Sequence, residues 1–532
     1  MDIVRRTIEM KTPCPILLSQ TGALLGYSRS WPRMVCMPHY PVEITDYTLP
    51  ALKKGENASL SEEQLVAGDI PEDYGSGVLS VSERRVRPLT FYCDSVSWDD
   101  TAANADDMVD KSGDGSRENP WRNVNYAIKK LSCLLSNFCG YARLCVKGVV
   151  DYRITVSNAD VSHYSRLIVT PWNDDENRKQ EINLDRIYND GKPHGINVFC
   201  ILSGFHIKIT GTGIVIAVYR PSICMNCEVT FEDNQTYDSY TAYRGDYPRD
   251  SVFYRCTANL KNVYSVYGFY AYEDNIFYDC SVHAFDCKQL YGYYSNTGSE
   301  KTRAVFYLCT LDAVYTEYDG NRDIYGFWGN TVCYRCSATF HGNVNYLYGF
   351  YNSRYYETMA NASAYYSCKV DMQAVANTFY GFFTSHNAAI HCKVVMTGTY
   401  VNTEHVHSHT YRGYYTATCY CCSIEASVAS NQSGELYGVV NSRLAVRCTA
   451  DMTYSVRENS YRASAECIAF HNCDNVYNCS ASVSASASAT PDSGGNFRET
   501  EQACGFYDSS GCHDPCHHVY QTKDGTTDYC NS

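Results

Sequence analysis

The chain has 532 residues, enough for several ordinary domains or for one long solenoid. Its formal net charge of −14 argues against a phosphate-backbone partner, so no nucleic acid is expected. It carries 49 Tyr and 28 Cys, and every tyrosine needs a surface for its ring and a partner for its hydroxyl.

In chain order, Arg5 and Arg6 could open a secretory signal, but Pro13, Pro15, Gln20 and Thr21 break the apolar stretch that should follow, and no signal is read there. No run of 18 apolar residues occurs, so no membrane span is expected. Without a sign of export, the sequons at Asn234 and Asn361 carry little weight, and the cysteines are expected as reduced thiols. Residues 1–90 hold eight of the 15 prolines and a charged stretch from Lys53 to Asp73. They show no repeat, and short strands and loops are expected in an N-terminal attachment region. Residues 91–140 read as a linker and a capping helix. The linker is acidic, then turn-rich at Gly113-Asp-Gly-Ser116 and Asn119-Pro120. The helix spans Val124 to Leu135, with one apolar face (Val124, Ala127, Ile128, Leu131, Leu134, Leu135) and Asn123 as N-cap. Strand-like runs follow at 142–150, 166–170, 197–202, 206–210 and 214–218.

From about residue 245 a repeat is explicit. Glycines beside aromatics recur at Gly245, Gly268, Gly292, Gly326, Gly349, Gly381, Gly413 and Gly438, spaced by 23, 24, 34, 23, 32, 32 and 25 residues, and again at Gly505. Ala469 holds the equivalent place between the last two. The motif reads Tyr267-Gly-Phe-Tyr270, Tyr291-Gly-Tyr-Tyr294, Tyr325-Gly-Phe-Trp328, Tyr348-Gly-Phe-Tyr351 and Tyr380-Gly-Phe-Phe383. A second motif follows each time, as in Tyr254/Cys256/Ala258, Tyr334/Cys336/Ala338 and Tyr477/Cys479/Ala481. Its period of two places the three residues on one strand face. Stacked periods would bury these faces, and the cysteines would form a ladder of packed thiols, with metal or redox chemistry as the alternative. The Ser/Ala run from Ser480 to Ala489 keeps the phase of Cys479 and reads as a long strand rather than a low-complexity linker. Residues 141–532 are therefore expected to be all-β, a right-handed parallel β-helix entered through the capping helix.

The segment from Asp110 to Ile128, with Gly113-Asp-Gly-Ser, Asn119-Pro-Trp-Arg and Tyr126-Ala-Ile128, resembles the opening of pectate-lyase-like (pectin-lyase-like) β-helix domains, as does the strand Leu144-Cys-Val-Lys-Gly148. The Tyr-Gly-Phe-Tyr and Tyr-x-Cys repeats resemble Cys-rich β-helix proteins of gut bacteria and their phages. The resemblance covers about residues 110–532. It implies a fold that serves lyases, hydrolases, adhesins and tailspikes alike.

Candidate chemistry is judged site by site. Asp312, Glu317, Asp319 and Asp323, with Arg322 beside them, are the best candidate catalytic carboxylates, because two carboxylates across a sugar bond can act as general acid and base; the bland reading is a solvated acidic loop. Asp238, Asp246 and Asp250 form a second cluster. His405, His407 and His409 alternate and could share a metal-binding face. Cys512, His513, Cys516, His517 and His518 have zinc-like spacing, although Cys516 also fits the thiol ladder. No cofactor is expected. In the Tyr-Gly-Phe-Tyr motif, strict alternation places the two residues flanking Gly on one face and the last aromatic on the other. Tyr270, Tyr294, Trp328, Tyr351, Phe383 and Tyr415 would then form an outer stripe, either for sugar rings or for neighbouring chains, or as self-stacking that only stabilises the solenoid. The expectation is a phage tailspike or tail-fibre-like virion protein that contacts host-surface polysaccharide as a homotrimer and joins other tail proteins through residues 1–90. The alternatives are a polysaccharide lyase or glycoside hydrolase, and a bacterial adhesin or structural repeat protein on the cell surface.

Overall fold

In the computed structural model the described residues are 17–18, 24–27, 34–36, 43–55, 64, 67, 76–96, 113–155, 162–172, 179–184, 194–209, 216–233, 239–246, 250–272, 274–296, 304–316, 322–329, 331–352, 364–400, 409–458, 462–490, 498–507, 509, 512–513 and 517–522. They fall into two compact units, residues 1–53 with 81–259, and residues 54–80 with 260–532. Both are parallel β-helix, in which the chain visits three parallel sheets in turn on each rung.

In the first unit, the first sheet stacks Leu89–Ser95, Ala142–Gly148, Leu167–Pro171, Ile201–Ser203, Ile223–Met225 and Val252–Tyr254. The second sheet holds Gln180–Asn183, Phe205–Ile209 and Glu228–Glu232. The third holds Ile154–Thr155, His194–Asn197, Ile216–Tyr219 and Ser239–Gly245. The single strand expected at 197–202 is two strands, because the chain turns between sheets at 198–200. The helix forms as expected, over Val124–Asn137, and the Asn123 side chain accepts from the Tyr126 N–H at 3.1 Å. Parallel pairing begins before the helix rather than after it. Leu89–Ser95 lies beside Ala142–Gly148 in full register, and the helix is inserted between these two neighbours. The Asp-Gly-Ser turn is held by the Ser116 N–H on the Asp114 carboxylate and the Asn119 N–H on Ser116 Oγ. Gly115 has a positive φ and lies against the Trp121 ring, where a Cβ would sit 2.6 Å from a ring carbon. The N-terminal region is not wholly a separate attachment module: Leu49 and Val86 pack on Ile168, Ile201 and Met225, on the outer side of the first sheet.

In the second unit every rung repeats one plan. A short first-sheet strand such as Thr331–Tyr334 ends in a residue with left-handed backbone, here Arg335 at φ 50°. Cys336 follows, and the second-sheet strand begins at Ser337. The left-handed residue separates Tyr334 from Cys336, so the expectation that Tyr, Cys and Ala share one strand face fails. The tyrosine ends one strand and is buried in a cluster with Val332, Tyr366 and Ile390, while Cys336 is buried at the corner and Ala338 on the next strand. The same corner recurs at Asp279, Leu308, Ser367, His391, Cys421, Arg447 and Asn478. Each corner is tied to its neighbours: the Arg335 N–H donates to Tyr366 O at 2.9 Å and the Ser337 N–H to Cys309 O at 3.0 Å.

The corner explains the cysteines. The thiol of Cys336 donates to Phe306 O of the preceding rung at 3.3 Å, and Cys392 to Tyr365 O at 3.3 Å. Cys368, Cys422, Cys448 and Cys479 repeat the contact. A small apolar side chain with a weak donor suits a tight corner that still presents a carbonyl. The nine ladder cysteines, Cys256, Cys280, Cys309, Cys336, Cys368, Cys392, Cys422, Cys448 and Cys479, are buried and free. Outside the ladder, Cys504 is disulfide-bonded, which departs from the expectation of reduced thiols throughout. Native-state alkylation should label exposed Cys133 quickly and the nine ladder thiols only after denaturation. Rapid native labelling of the nine would refute the buried ladder.

Inside, rings stack from rung to rung. Phe269, Tyr293, Phe327, Phe350, Phe382 and Tyr414 follow one another at 5.1, 4.5, 4.6, 4.7 and 5.0 Å. The buried Tyr293 hydroxyl lies 2.7 Å from Cys280 O and 2.9 Å from Thr310 O, which offsets its desolvation. The motif glycines sit at a close approach. A Cβ on Gly349 would lie 2.5 Å from Val370 Cγ2 and 2.6 Å from Gly381 O. Gly349→Ala should therefore lower stability by about 1–3 kcal/mol in a denaturant titration, since the blocking atoms include the next rung's backbone. The Ser480–Ala489 strand forms and pairs with Thr449–Glu458 along its whole length, with Ala481, Val483, Ala485 and Ala487 buried.

Candidate functional site

The third sheet of the second unit bends at its glycines, and this bend sets the outer surface. In Ser265–Ala271, Val266 is buried, Tyr267 is half-buried, Gly268 and Phe269 are both buried, and Tyr270 is half-buried. Two consecutive residues therefore face inward, and strict alternation fails at the motif. Tyr267 and Phe269 do not share a face. Tyr267 and Tyr270 share the outer one, their centroids 5.4 Å apart in an edge-on contact.

The outcome is two aromatic columns side by side rather than one stripe. The column expected from sequence runs Tyr270, Tyr294, Trp328, Tyr351, Phe383, Tyr415, with centroids at 5.0, 6.0, 4.4, 5.0 and 5.0 Å. The column that alternation hid runs Tyr267, Tyr291, Tyr325, Tyr348, Tyr380, at 4.7, 5.0, 4.9 and 5.3 Å and nearly parallel. Edge-on contacts join the columns, Tyr325 to Trp328 at 4.5 Å and Tyr348 to Tyr351 at 4.7 Å. Ring offsets of this kind favour the quadrupoles and fix the ring planes. At Arg412, in register with Tyr380, the hidden column changes chemistry. This guanidinium lies over Tyr380, Tyr415 and Tyr437 at 5.4, 5.7 and 5.9 Å.

A third, polar column borders the rings. Register pairs Gln289 with Asp323, Asp323 with Tyr346, and onward through Thr378, Thr410, Glu435 and Glu466. Burial raises the Asp323 carboxyl above its ordinary value. Burial does the same to Glu466, which accepts from the Tyr437 hydroxyl at 2.9 Å. Burial, then Tyr294 and Asp323, push the Tyr291 hydroxyl up, so these phenols are neutral donors at neutral pH. The signal for the hidden aromatic column is the tyrosine one residue before the glycine in five repeats, and that for the polar column is the residue three before it.

Two of the expected acidic residues stand on different sheets. Asp323 opens a third-sheet strand, whereas Asp312 faces out from the second sheet with His341 Nε2 at 3.8 Å. Glu317 and Asp319 lie outside the described residues. Arg322 is buried and donates to Asp286 Oδ1 at 3.2 Å. Of the second cluster, Asp238 lies outside the described residues, and Asp246 is held by the Tyr219 hydroxyl at 2.9 Å and Arg244 at 3.1 Å. His405 and His407 lie outside the described residues. His409 is buried, lies 3.0 Å from Gln432 Oε1, and is driven toward its neutral form by burial. The side chains of Cys512, His513, Cys516, His517 and His518 lie outside the described part of the chain. Among the described residues no group of three or more His, Cys, Asp or Glu could hold a metal ion.

No protein family, curated protein or solved structure matches the chain. Among the described residues, no helix is long and apolar enough to cross a membrane.

Proposed function

We propose that this chain is a binding scaffold whose outer third-sheet face stacks the rings of a surface glycan, as part of a tailspike or tail-fibre-like virion protein. The observation that carries the reading is the pair of half-buried aromatic columns, held in register over five rungs and bordered by hydrogen-bonding side chains. Flat, pre-oriented rings beside fixed polar groups are what a sugar's apolar face and hydroxyl edge require. Little ordering entropy is lost on binding, because the rings already brace one another. Three copies packed side by side would set this face along a groove between chains, as in the tailspikes that the repeats resemble.

The test is Trp328→Ala with Tyr351→Ala in the full chain, applied to a glycan array and to host-type bacterial cells. Removing two adjacent rings should weaken binding at least tenfold, as expected for the loss of central aromatic anchors. Unchanged binding in this variant would refute the reading.

A further inference from the structure

The polar column narrows the class of glycan. We propose that the face takes an uncharged, hydroxyl-rich glycan laid along the columns and turns away polyanionic glycans; this rests on the glycan reading above.

The groups bordering the rings are Gln289, Asp323, Thr378, Thr410, Glu435 and Glu466, half-buried and aligned by strand register, with the exposed Tyr346 between Asp323 and Thr378. All can accept hydrogen bonds, and every charge among them is negative. Carboxylates beside a stacking ring accept hydroxyl hydrogens with charge assistance, which strengthens contacts to a neutral sugar. The same carboxylates oppose a uronate, sulfate or phosphate brought into the column, and like-charge juxtaposition in a partly desolvated site is the usual device for rejecting a wrong ligand. Arg412, a cation on the face, is already sandwiched among three rings, and Lys288 beside Gln289 lies over the Tyr264 ring at 5.5 Å. The chain's net charge of −14 adds a long-range term of the same sign.

The experiment uses the full chain on an array carrying neutral glucans, galactans, mannans and chitin oligosaccharides beside polygalacturonate, heparan sulfate and polysialic acid, at physiological salt. Binding should be confined to neutral glycans. The triple variant Asp323→Asn, Glu435→Gln, Glu466→Gln, checked for unchanged thermal unfolding, should lose at least tenfold on the neutral ligand and gain signal on the anionic ones. Wild-type binding to the anionic glycans at or above the neutral level would overturn the proposal while leaving the glycan reading standing, as would a triple variant with unchanged discrimination. No wild-type binding to any glycan would overturn both. A fall in molecular mass by light scattering for Trp328→Ala with Tyr351→Ala, with glycan binding unchanged, would show that the face holds a second copy of the chain instead of a glycan, and would also overturn both.

Discussion

Raising the pH from 8 to 10 should collapse the thermal stability of the protein. Burial pushes the thiols of Cys200 and Cys287 from the ordinary 9.0 up to about 12. Burial raises Cys224, Cys336, Cys368, Cys392, Cys419 and Cys448 well above that ordinary value too. Below pH 9 these thiols are protonated in both states and add no pH dependence. Above it these eight thiols ionise in the unfolded chain and stay protonated in the folded one, so stability is lost from the unfolded pKa upward, until the folded thiols themselves titrate; Cys309, which burial raises but thiol contacts from Cys280 and Cys336 draw down further, is not among them. At pH 10 each contributes a loss of about 1 kcal/mol, and together they reach on the order of 10 kcal/mol. That rivals the whole stability of a typical domain, about 5–15 kcal/mol. Melting curves at half-unit steps would show a steep fall in Tm above pH 9. A flat Tm to pH 10.5 would mean that these thiols are not buried.

The largest single-residue effect should come from Phe350→Ala. Its ring is fully buried and stacks at 4.6 Å on Phe327 and 4.7 Å on Phe382, with Tyr365 at 5.1 Å. Removing it leaves a cavity that neighbouring rungs cannot close without breaking register. The expected loss is about 3–5 kcal/mol in a denaturant titration. Its outward neighbour offers the control: Tyr351→Ala should cost about 1 kcal/mol, because a half-buried ring loses little area and only pairwise stacking. Equal losses for the two would contradict the assignment of inside and outside.

That assignment shows what is legible in the sequence. The Tyr-Gly-Phe-Tyr and Tyr-x-Cys spacings reveal a solenoid, because short strands that recur in phase bury their faces by stacking period on period. The Ser/Ala run after Cys479 is legible as a strand, since simple alternation does hold along it. Alternation fails wherever the backbone turns. At Arg335 a left-handed residue turns the chain between the tyrosine that ends one strand and the cysteine that precedes the next, and nothing in an arginine announces it. At Gly268 two inward residues in succession bring Tyr267 beside Tyr270, so alternation conceals half of the aromatic face. Leu89–Ser95 escapes notice because its partner strand comes only after the helix. The acidic cluster looks convergent because its members are close in sequence, yet Asp312 and Asp323 stand on different sheets.

The most direct test of the central claim, that stacked aromatics form an outer binding face over a separate inner stack, is hydroxyl-radical footprinting of the full chain with and without a bound glycan. Free protein should oxidise readily at Tyr291, Trp328 and Tyr351 and stay protected at Tyr293, Phe327 and Phe350; glycan should then protect the first set and leave the second unchanged. Equal oxidation of both sets, or no protection of Trp328 and Tyr351 when glycan is bound, would contradict the account.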